Sequence, residues 1–445
     1  KMTGCYNTGS VTGKSRDVGG VAASVSGTAD SKLEHCYNTG EVTNTFTAIS
    51  YNGALAGGVI GHLSGGAVLK YSYNTGAVTG SGLGIKTSEH CGIGGVTGVL
   101  ATDSKIYCCY NTGKVTATGE CTSSYATNAN RTIYLGGLCG AADSTGEISC
   151  SYNSGELVSL NTDAAQSTGA VSGKNFGNNK LCYYVADTVG SIKGLIDTIG
   201  EKATAVAVSI KDYFSGKLAW LLDRSPDTGE KLNVWGQSVD TNMPIPAQDP
   251  SLVRYRALLE IAGEGTVTVG EETNPSELYY ASGTEVQMSV VPNEGNYVLK
   301  LASVLDEEDN TLKSAGGIGV TAFSFTMPAQ NVGVTVLFAP YTPGAQHTVT
   351  FDANGGEFED KNSSLKVKVD SGHTVEKPSN PTREVGAEEK PYEFDGWYTD
   401  AECLNRYDFN TAVTGDMTLY AGWKREGEVR VRFNLNRSED AVGSA

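Results

Sequence analysis

The chain has 445 residues, and 39% of them are hydrophobic, which is enough for folded cores and too much for a disordered protein. Its formal net charge of −17 argues against a nucleic-acid partner, because phosphates are bound by clustered Lys and Arg. No apolar run approaches the roughly 20 residues of a membrane helix, so we expect no membrane insertion in this segment. No signal peptide or anchoring tail is visible, so an exported protein would extend beyond this chain.

Proline, glycine and charge divide the chain into two regions. The first of the twelve prolines is Pro226, and 31 of the 56 glycines lie within residues 1–180. That stretch contains 11 basic and 11 acidic residues, so the whole excess of negative charge lies beyond it. The length suggests about three domains at roughly 150 residues each. At least two physically different regions are therefore joined end to end.

A repeat fills the first region. The string Tyr-Asn-Thr-Gly begins at Tyr6, Tyr37, Tyr73 and Tyr110, and the variant Tyr-Asn-Ser-Gly begins at Tyr152. Gly-Gly pairs followed by Val or Leu start at positions 19, 57, 94 and 136, between these tyrosines. The distance from each pair to the next tyrosine stays at 16–18 residues, whereas the distance from each tyrosine to the next pair grows from 13 to 26. One half of the unit is fixed in length, and the other half takes the insertions.

This pattern predicts a β-solenoid. Short apolar strands between Gly and Asn-Thr-Gly turns suit a coil that buries its face against the next coil. We expect these turns to use the left-handed backbone that Asn and Gly tolerate. The lack of proline before Pro226 agrees, because proline removes a ladder hydrogen bond. A series of small hairpins along a larger sheet would give the same periodicity and is the alternative.

The cysteines follow the same repeat. Four of them and two serines stand immediately before a repeat tyrosine: Cys5, Cys36, Ser72, Cys109, Ser151 and Cys182. Equivalent positions in stacked coils superpose, which predicts an inward-facing ladder of small side chains with buried free thiols. Disulfides are the alternative, since exported proteins permit them and Cys108 and Cys150 lie one position earlier. Serine at two of the six places argues against fixed partners.

Residues 1–185 resemble the GLUG-type repeats of bacterial surface proteins, including some large IgA-specific peptidases. The resemblance is based on the Gly-Gly landmark and the following Tyr-Asn-Thr-Gly. FSGKLAWLLD and NVWGQ, within residues 186–248, resemble the segment that closes such arrays. Residues 203–223 have helical apolar spacing, with Val206, Ile210, Tyr213, Leu218 and Leu221 on one face. We therefore expect a short helical cap in which Trp220 and Trp235 plug the open end.

Two acidic modules follow the linker TNMPIPAQDP. Residues 250–341 have alternating strands and resemble a divergent internalin-type bacterial repeat, with Leu299-Lys300-Leu301 where a Gly-Trp pair is usual. Residues 345–424 contain HTVTFDANGG and FDGWYTDAECLNRYDFNTAVTGDMTLYAGW, and they resemble the Listeria–Bacteroides repeat. That resemblance implies a small β-grasp-like sheet, and Asn354-Gly355 predicts a hairpin turn in it. Residues 425–445 form a tail or begin a further module. The fold class is thus all-β: a solenoid, a cap and two small β-grasp-like or β-sandwich-like modules.

The motifs of several enzyme classes are missing. There is no His-Glu-x-x-His, no Gly-x-Ser-x-Gly elbow and no phosphate-binding loop. His35-Cys36 and His90-Cys91 occupy different places on the coil and have no companions at zinc-ligand spacing. The acidic run 306–309 and the turn near Asp352 lack the spacing of a calcium loop. We therefore expect no catalytic residue, no metal and no cofactor.

Exposed aromatic residues are the usual platform for sugars. The repeat tyrosines are expected to stack within the solenoid, so the candidates are aromatic residues of the variable half-coils. These are Phe46, Tyr51, Tyr125 and Tyr134. A tyrosine that only packs against the base of its own loop is the simpler explanation for each of them.

These observations point to a non-enzymatic, extracellular segment of a bacterial surface protein, in a Gram-positive or Bacteroides-type setting implied by the resemblance. Its expected role is adhesion, or a stalk that displays another domain, towards host glycan, mucin or matrix protein. The alternative is an accessory region of a large secreted peptidase or glycoside hydrolase with its catalytic domain outside this chain. A polysaccharide-cleaving solenoid is a third hypothesis, and the sparse charge of the coils disfavours it.

Overall fold

The computed structural model describes residues 1–46, 53–81, 83–85, 92–119, 131–160, 165–190, 192, 194, 203–247, 249–305, 311–342, 344–384 and 391–425. The described chain is mostly β-structure, which confirms the predicted class. It divides into two compact units. The first contains Lys1–Ala257, Leu278–Thr284 and Met327–Gln330, and the second contains the remaining described residues.

The first unit is built from coils of short strands. The first coil has β1 (Met2–Thr3), β2 (Tyr6–Asn7), β3 (Val11–Gly13), β4 (Asp17–Gly19) and β5 (Ala22–Ser26). The second has β6 (Lys32–Glu34), β7 (Tyr37–Asn38), β8 (Val42–Asn44), β9 (Leu55–Gly57) and β10 (Ile60–Ser64). The third has β11 (Val68–Lys70), β12 (Tyr73–Asn74), β13 (Val78–Gly80), β14 (Leu83–Ile85), β15 (Gly92–Gly94) and β16 (Thr97–Leu100). The fourth has β17 (Lys105–Tyr107), β18 (Tyr110–Asn111), β19 (Val115–Ala117), β20 (Arg131–Gly136) and β21 (Cys139–Ala142). The fifth has β22 (Glu147–Asn153), β23 (Leu157–Ser159), β24 (Ala165–Gly169) and β25 (Ser172–Asn175), and β26 (Asn178–Val185) begins a sixth.

Equivalent strands of successive coils pair in parallel and in register. Tyr37 lies opposite Tyr6 and Tyr73, and Tyr110 lies opposite Tyr73 and Tyr152. The antiparallel pair β14–β20 joins two of the variable half-coils and is the exception among the described coil strands. Hairpins along a sheet would pair antiparallel throughout, so the β-solenoid is confirmed over that alternative.

Apolar side chains fill the interior in columns, with one residue from each coil. One column is Leu33, Leu69, Ile106 and Ile148, a second is Val42, Val78, Val115 and Leu157, and a third is Val59, Val96, Leu138 and Val171. Every one of these side chains is at most 8% exposed. Each coil therefore buries its apolar face against its neighbours, as expected of a solenoid.

The corners of the coil agree with the prediction only in part. Gly65 and Gly66 are left-handed, with φ of 73° and 86°, as expected of Gly turns. Another left-handed place recurs immediately before the Cys/Ser column, at Gly4, His35, Tyr71, Cys108, Cys150 and Leu181, with φ between 48° and 67°. The Asn-Thr-Gly turns have no left-handed residue. Their glycines are required by close approach between coils instead, since a Cβ on Gly40 would overlap the Gly9 carbonyl oxygen.

A ladder of asparagines crosses the interior. Asn7, Asn38, Asn74 and Asn111 each donate from Nδ2 to Oδ1 of the next asparagine at 2.7–2.8 Å, and the series ends at Asn153. Each Nδ2 also donates to the carbonyl of the glycine two residues later. The second glycine of each Gly-Gly pair lies against this ladder, and a Cβ on Gly58 would overlap the Asn74 side chain. The two landmarks of the repeat therefore meet inside the coil.

The cysteine ladder is buried and reduced. Cys36, Ser72, Cys109, Ser151 and Cys182 are fully buried, and the described cysteines are free thiols. The Ser72 hydroxyl donates to the Lys70 carbonyl at 2.7 Å, as the Cys109 thiol does to the Tyr107 carbonyl at 3.4 Å. Burial raises the pKa of the Cys109 thiol to about 12, so it stays protonated and unreactive at neutral pH.

We expect Cys109→Ser to change the free energy of unfolding by no more than about 1 kcal/mol, because serine already occupies this column and its hydroxyl finds a carbonyl acceptor. Ile106→Ser, in the same coil, is the matched control. It should cost about 3 kcal/mol or more, because a large apolar side chain is lost and a hydroxyl is buried in its place. Urea unfolding of both variants measures the difference. Equal losses would show that the column is not tolerant of serine.

The C-terminal end of the solenoid is closed by a mixed segment. It contains α1 (Ala186–Val189), β27 (Ala203–Val208), α2 (Ile210–Phe214), α3 (Lys217–Leu222), β28 (Trp235–Gln237), β29 (Pro244–Pro246) and a 3₁₀ turn (Pro250–Leu252). The predicted helix over 203–223 is wrong for 203–208, which pairs in parallel with β26 as one more strand. Val206 is accordingly 49% exposed. Helix α2 begins with a capping box between Ser209 and Asp212.

The two cap tryptophans have different roles. Trp235 is fully buried, but it packs on the flank of the coils against Tyr110 and Tyr152 and does not plug the open end. Trp220 is half-buried and lies under Arg224. The prediction that both tryptophans plug the end is therefore wrong.

The described part of residues 250–341 contains nine strands. These are β30 (Arg254–Ala262), β31 (Gly265–Val269), β32 (Glu272–Thr273), β33 (Glu277–Ala281), β34 (Glu285–Pro292), β35 (Asn296–Leu305), β36 (Thr311–Gly317), β37 (Ala322–Thr326) and β38 (Val332–Pro340). One sheet has the order β32-β31-β34-β37, and β38, β35 and β36 are neighbours in another. Strands β30 and β33 lie where the two units divide.

The last module is a four-stranded mixed sheet. Its strands are β39 (Gln346–Asp352), β40 (Ser364–Asp370), β41 (Tyr392–Tyr398) and β42 (Met417–Arg425), in the order β40-β39-β42-β41. The central pair β39–β42 is parallel, which is the arrangement of a β-grasp sheet. Phe351 and Trp397 form its aromatic core with ring centroids 4.9 Å apart. Asn354 and Gly355 both have positive φ and form the predicted turn, although β40 begins nine residues after Gly355.

The two acidic modules belong to one compact unit. The Ala412 N–H donates to the Leu299 carbonyl at 3.2 Å, and the Ile318 N–H donates to the Gly372 carbonyl at 3.1 Å. The Asn410 amide donates to the Ser314 hydroxyl at 2.8 Å. Leu299, in the Leu299-Lys300-Leu301 run, thus contributes a backbone acceptor to this contact.

Candidate binding surface of the solenoid

The structure describes two of the four predicted binding residues. Phe46 is half-buried, and its carbonyl accepts a hydrogen bond from the Ser81 hydroxyl at 2.7 Å. Tyr134 is only 4% exposed, and the Lys174 ammonium lies 5.1 Å from its ring centroid. The expectation that Tyr134 is an exposed loop residue is therefore wrong, because strand β20 extends into the variable half-coil and pairs with β24. Tyr51 and Tyr125 lie outside the described residues.

The repeat tyrosines form one continuous stack on the flank of the coils. The ring centroids of Tyr6, Tyr37, Tyr73, Tyr110 and Tyr152 are 4.9–5.3 Å apart, and neighbouring rings are within 7° of parallel. The predicted stacking is thus confirmed. Their spacing follows from the distance between parallel strands, which is about 4.8 Å.

The cap covers only one end of this stack. Trp235 and its neighbours bury Tyr110 and Tyr152, so burial raises the pKa of both phenols. Tyr6 is 62% exposed, and Tyr37 and Tyr73 are half-buried. His35 and Tyr71, at the adjacent corner, are stacked 5.2 Å apart and are half-buried. We call these five residues the uncovered flank.

A cleft of about 330 Å³ lies beside the uncovered flank along the coil. One wall is the outward face of β6, β11, β17 and β22, and the other is the cap loop that follows α3. Its lining residues are Ala29, Lys32, Val68, Lys70, Lys105, Tyr107, Glu147, Ser225, Pro226 and Asp227. All of them belong to the first unit.

The charges of the cleft are partly compensated. Lys105 pairs with Glu147 at 3.1 Å, and Lys180 pairs with Asp227 at 2.6 Å. Lys32 and Lys70 have no ion pair within the described part of the chain. The Lys70 ammonium lies 5.2 Å from the centroid of the Tyr107 ring, and burial raises the pKa of Tyr107. The cleft therefore offers ammonium and hydroxyl donors beside an aromatic ring, which are the groups that bind a polar, hydroxyl-rich ligand.

His, Cys, Asp and Glu side chains are scattered among the described residues. No group of three His, Cys, Asp or Glu side chains there is placed to hold a metal ion. His62 Nδ1 lies 4.0 Å from a carboxylate oxygen of Asp17. Each carboxylate that lines the cleft is paired with a lysine.

Sequence reasoning missed the cleft because it placed binding in the variable loops. Lys70 and Tyr107 stand in the fixed half, one position after the buried Leu69 and Ile106, so the alternation of side chains along a strand turns them outward. That alternation could have identified one wall. The other wall, Ser225–Asp227, comes from the cap, and nothing in the repeat indicates where the cap loop returns.

The second unit has a recognisable relative among known families. Residues 347–422 match the family model of the Listeria-Bacteroides repeat domain, as the sequence predicted. This repeat is typical of bacterial surface proteins.

Two proteins of Evansella cellulosilytica are similar to parts of the chain. One, provisionally named a Gly-rich membrane protein, is 35% identical over 80 residues, which are 18% of this chain and 8% of that protein. The other, provisionally named a membrane protein, is 34% identical over 91 residues, which are 20% of this chain and 12% of that protein. The chain thus matches about a tenth of the length of each. Among the helices of the described residues, none is long and apolar enough to cross a membrane.

Proposed function

We propose that this chain is a non-enzymatic, extracellular segment of a bacterial surface protein that adheres to host glycan, mucin or matrix protein. The GLUG-type solenoid carries the binding surface, and the acidic unit acts as a spacer or stalk. The observation that carries the proposal is the cleft, in which Lys32, Lys70 and Tyr107 meet beside the uncovered flank on a rigid stack of coils. The Listeria-Bacteroides repeat supports the surface setting.

The second unit supports the spacer role. Its two modules are joined by backbone hydrogen bonds, so they form a stiff extension and not two freely jointed domains. The acidic excess of the chain lies beyond residue 180, and it keeps this part soluble without selecting an anionic partner.

The alternative is an accessory region of a large secreted peptidase or glycoside hydrolase. It is supported by the small share of each relative that the chain matches, which leaves room for other domains in such proteins. The complete reading frame separates the two proposals. A catalytic domain in it would favour the accessory role, whereas further repeats and a wall anchor would favour adhesion.

Binding of the full 445-residue chain to arrayed glycans, mucins and matrix proteins tests the proposal. Lys70→Gln and Tyr107→Leu are each expected to weaken a saturable signal about tenfold, since each removes one direct contact of the cleft. Lys368→Gln is the matched control, because Lys368 is an exposed lysine of the second unit. Silence of the wild-type chain, or equal binding of all three variants, would overturn the proposed adhesion through the cleft.

A further inference from the structure

A basic and aromatic cluster lies in the first unit, apart from the residues that line the cleft. Trp220 stands in the last turn of α3, and Arg224 follows two residues after that helix ends. An isolated antiparallel bridge pairs Arg224 with Lys231 and closes the loop between them. Tyr255 and Arg256 come from the start of β30. We call these five residues the cationic cluster.

Aromatic rings hold the cations in place. The Arg224 and Arg256 guanidinium carbons lie 4.5 Å and 5.0 Å from the Trp220 ring centroid. The Lys231 ammonium lies 3.2 Å from the centroid of Tyr255. Three positive groups thus share one patch in a protein of net charge −17. Cation–π contacts of this kind fix the geometry of the cations.

The cations are also partly withdrawn from water and close to one another. Burial lowers the pKa of Arg224, and the neighbouring charge of Arg256 lowers it further. Burial and the charge of Arg224 lower the pKa of Lys231 to about 8, against the opposite effect of Asp223. The charged forms of both side chains are therefore destabilised by burial, and a bound anion would stabilise them.

The Asp223 carboxylate lies beside the cluster, and its charge acts on both Arg224 and Lys231. Asp223 is 1% exposed, and its Oδ1 accepts the backbone N–H groups of Val234 and Trp235 at 2.8 Å and 3.1 Å. Arg224 and Lys231 have no ion pair in the described portion of the chain. Arg224 and Lys231 together therefore carry more charge than the single Asp223 carboxylate offsets.

We propose that the cationic cluster is a binding site for an acidic saccharide, whose carboxylate or sulfate group is held between Arg224 and Lys231. Oxyanions accept short charge-assisted hydrogen bonds from both cation types, and a guanidinium presents two parallel N–H groups to one oxyanion. The rings of Trp220 and Tyr255 supply apolar edges for the sugar attached to it. This inference deepens the proposed function and depends on it for the choice of a saccharide as the ligand.

Calorimetric titration of the full chain with three ligands that share a lactose core tests the site. These are lactose, 3′-sialyllactose and lactose 3′-sulfate, so the two charged ligands distinguish a carboxylate from a sulfate. We expect at least one charged ligand to bind ten times more tightly than lactose. Equal affinity for all three, or no heat from any of them, would overturn the proposal.

Variants locate the site. R224Q/K231Q should lose at least tenfold in affinity for the charged ligand, whereas K14Q/K114Q, with the same change in net charge elsewhere on the solenoid, should retain it. R224K keeps the charge but loses the planar fork, and it should lose several-fold, so the site stays testable if the double variant unfolds. Retained affinity in both R224K and R224Q/K231Q would overturn the assignment.

The cleft variant K70Q separates this proposal from the adhesion proposal. Because K70Q leaves the cationic cluster intact, its affinity for the charged lactose should equal that of the wild type. If the cleft does not mediate adhesion, the calorimetric titration is unchanged. If the cationic cluster does not bind the anionic group, the titration shows no tighter binding of the charged ligands, and the effect of K70Q on array binding is unchanged.

Discussion

Replacing Asn111 with alanine is expected to destabilise the solenoid by about 2–5 kcal/mol. The Asn111 amide donates to Asn153 Oδ1 and to the Gly113 carbonyl, each at 2.8 Å, and its Oδ1 accepts from Asn74 at 2.8 Å. The side chain is fully buried, so the variant removes one hydrogen-bond partner from each of three interior groups, on Asn74, Gly113 and Asn153. Each such group costs about 1–3 kcal/mol, and water has no access to replace the lost partner.

Asn7→Ala is the matched control at the exposed end of the same ladder. Asn7 is half-exposed, and it donates to Asn38 alone among the ladder asparagines. Its removal should lower the free energy of unfolding by less than half as much as Asn111→Ala does, because water can reach the polar groups that lose their partner. Urea unfolding followed by far-ultraviolet circular dichroism measures both variants. A loss below about 1 kcal/mol for Asn111→Ala, or equal losses for the two, would mean that the ladder does not stabilise the stack.

The stacking of the repeat could be predicted from the sequence, whereas the contacts of its side chains could be predicted only in part. The fixed spacing between the Gly-Gly pairs and the tyrosines predicted the stacking register, and the structure confirms it. The asparagine of Tyr-Asn-Thr-Gly was assigned to a left-handed corner because turns favour that residue. Its side chain instead crosses the coil to the Gly-Gly pair, a contact between residues 16–18 positions apart. Local turn preferences do not contain such a contact.

The binding surface was harder to predict for a related reason. Insertions in a repeat are usually loops, so Tyr134 was expected on the surface, but pairing of β20 with β24 turned that insertion into a strand. The cleft and the cationic cluster both depend on where residues 223–231 return after α3. That path is set by packing of the cap on the tyrosine stack. Packing of this kind follows from tertiary structure and has no periodic signal in the sequence.

Replacing Trp235 with alanine is expected to cost about 3–5 kcal/mol and to uncover the buried end of the tyrosine stack. The Trp235 ring lies 6.4 Å from Tyr110 and 5.8 Å from Tyr152, in one cluster with Leu218 and Leu222. The Tyr152 hydroxyl donates to the Pro244 carbonyl at 2.8 Å, so loss of the tryptophan also frees the hairpin of β28 and β29. Hydrogen exchange should accelerate in that hairpin and at the amides of β18 and β22.

Trp220→Ala is the control for this prediction, because it removes the half-buried tryptophan of the same cap and leaves the flank covered. It should cost less, and exchange in β18 and β22 should stay slow. Comparable exchange in the two variants would show that the cap does not protect the stack through Trp235. Because Asp223 holds the backbone N–H of Trp235 next to Arg224, loosening this hairpin should also weaken charged-lactose binding. Stability of the cap and binding at the cationic cluster are therefore expected to fall together in Trp235→Ala, whereas Arg224→Lys should change binding with little loss of stability.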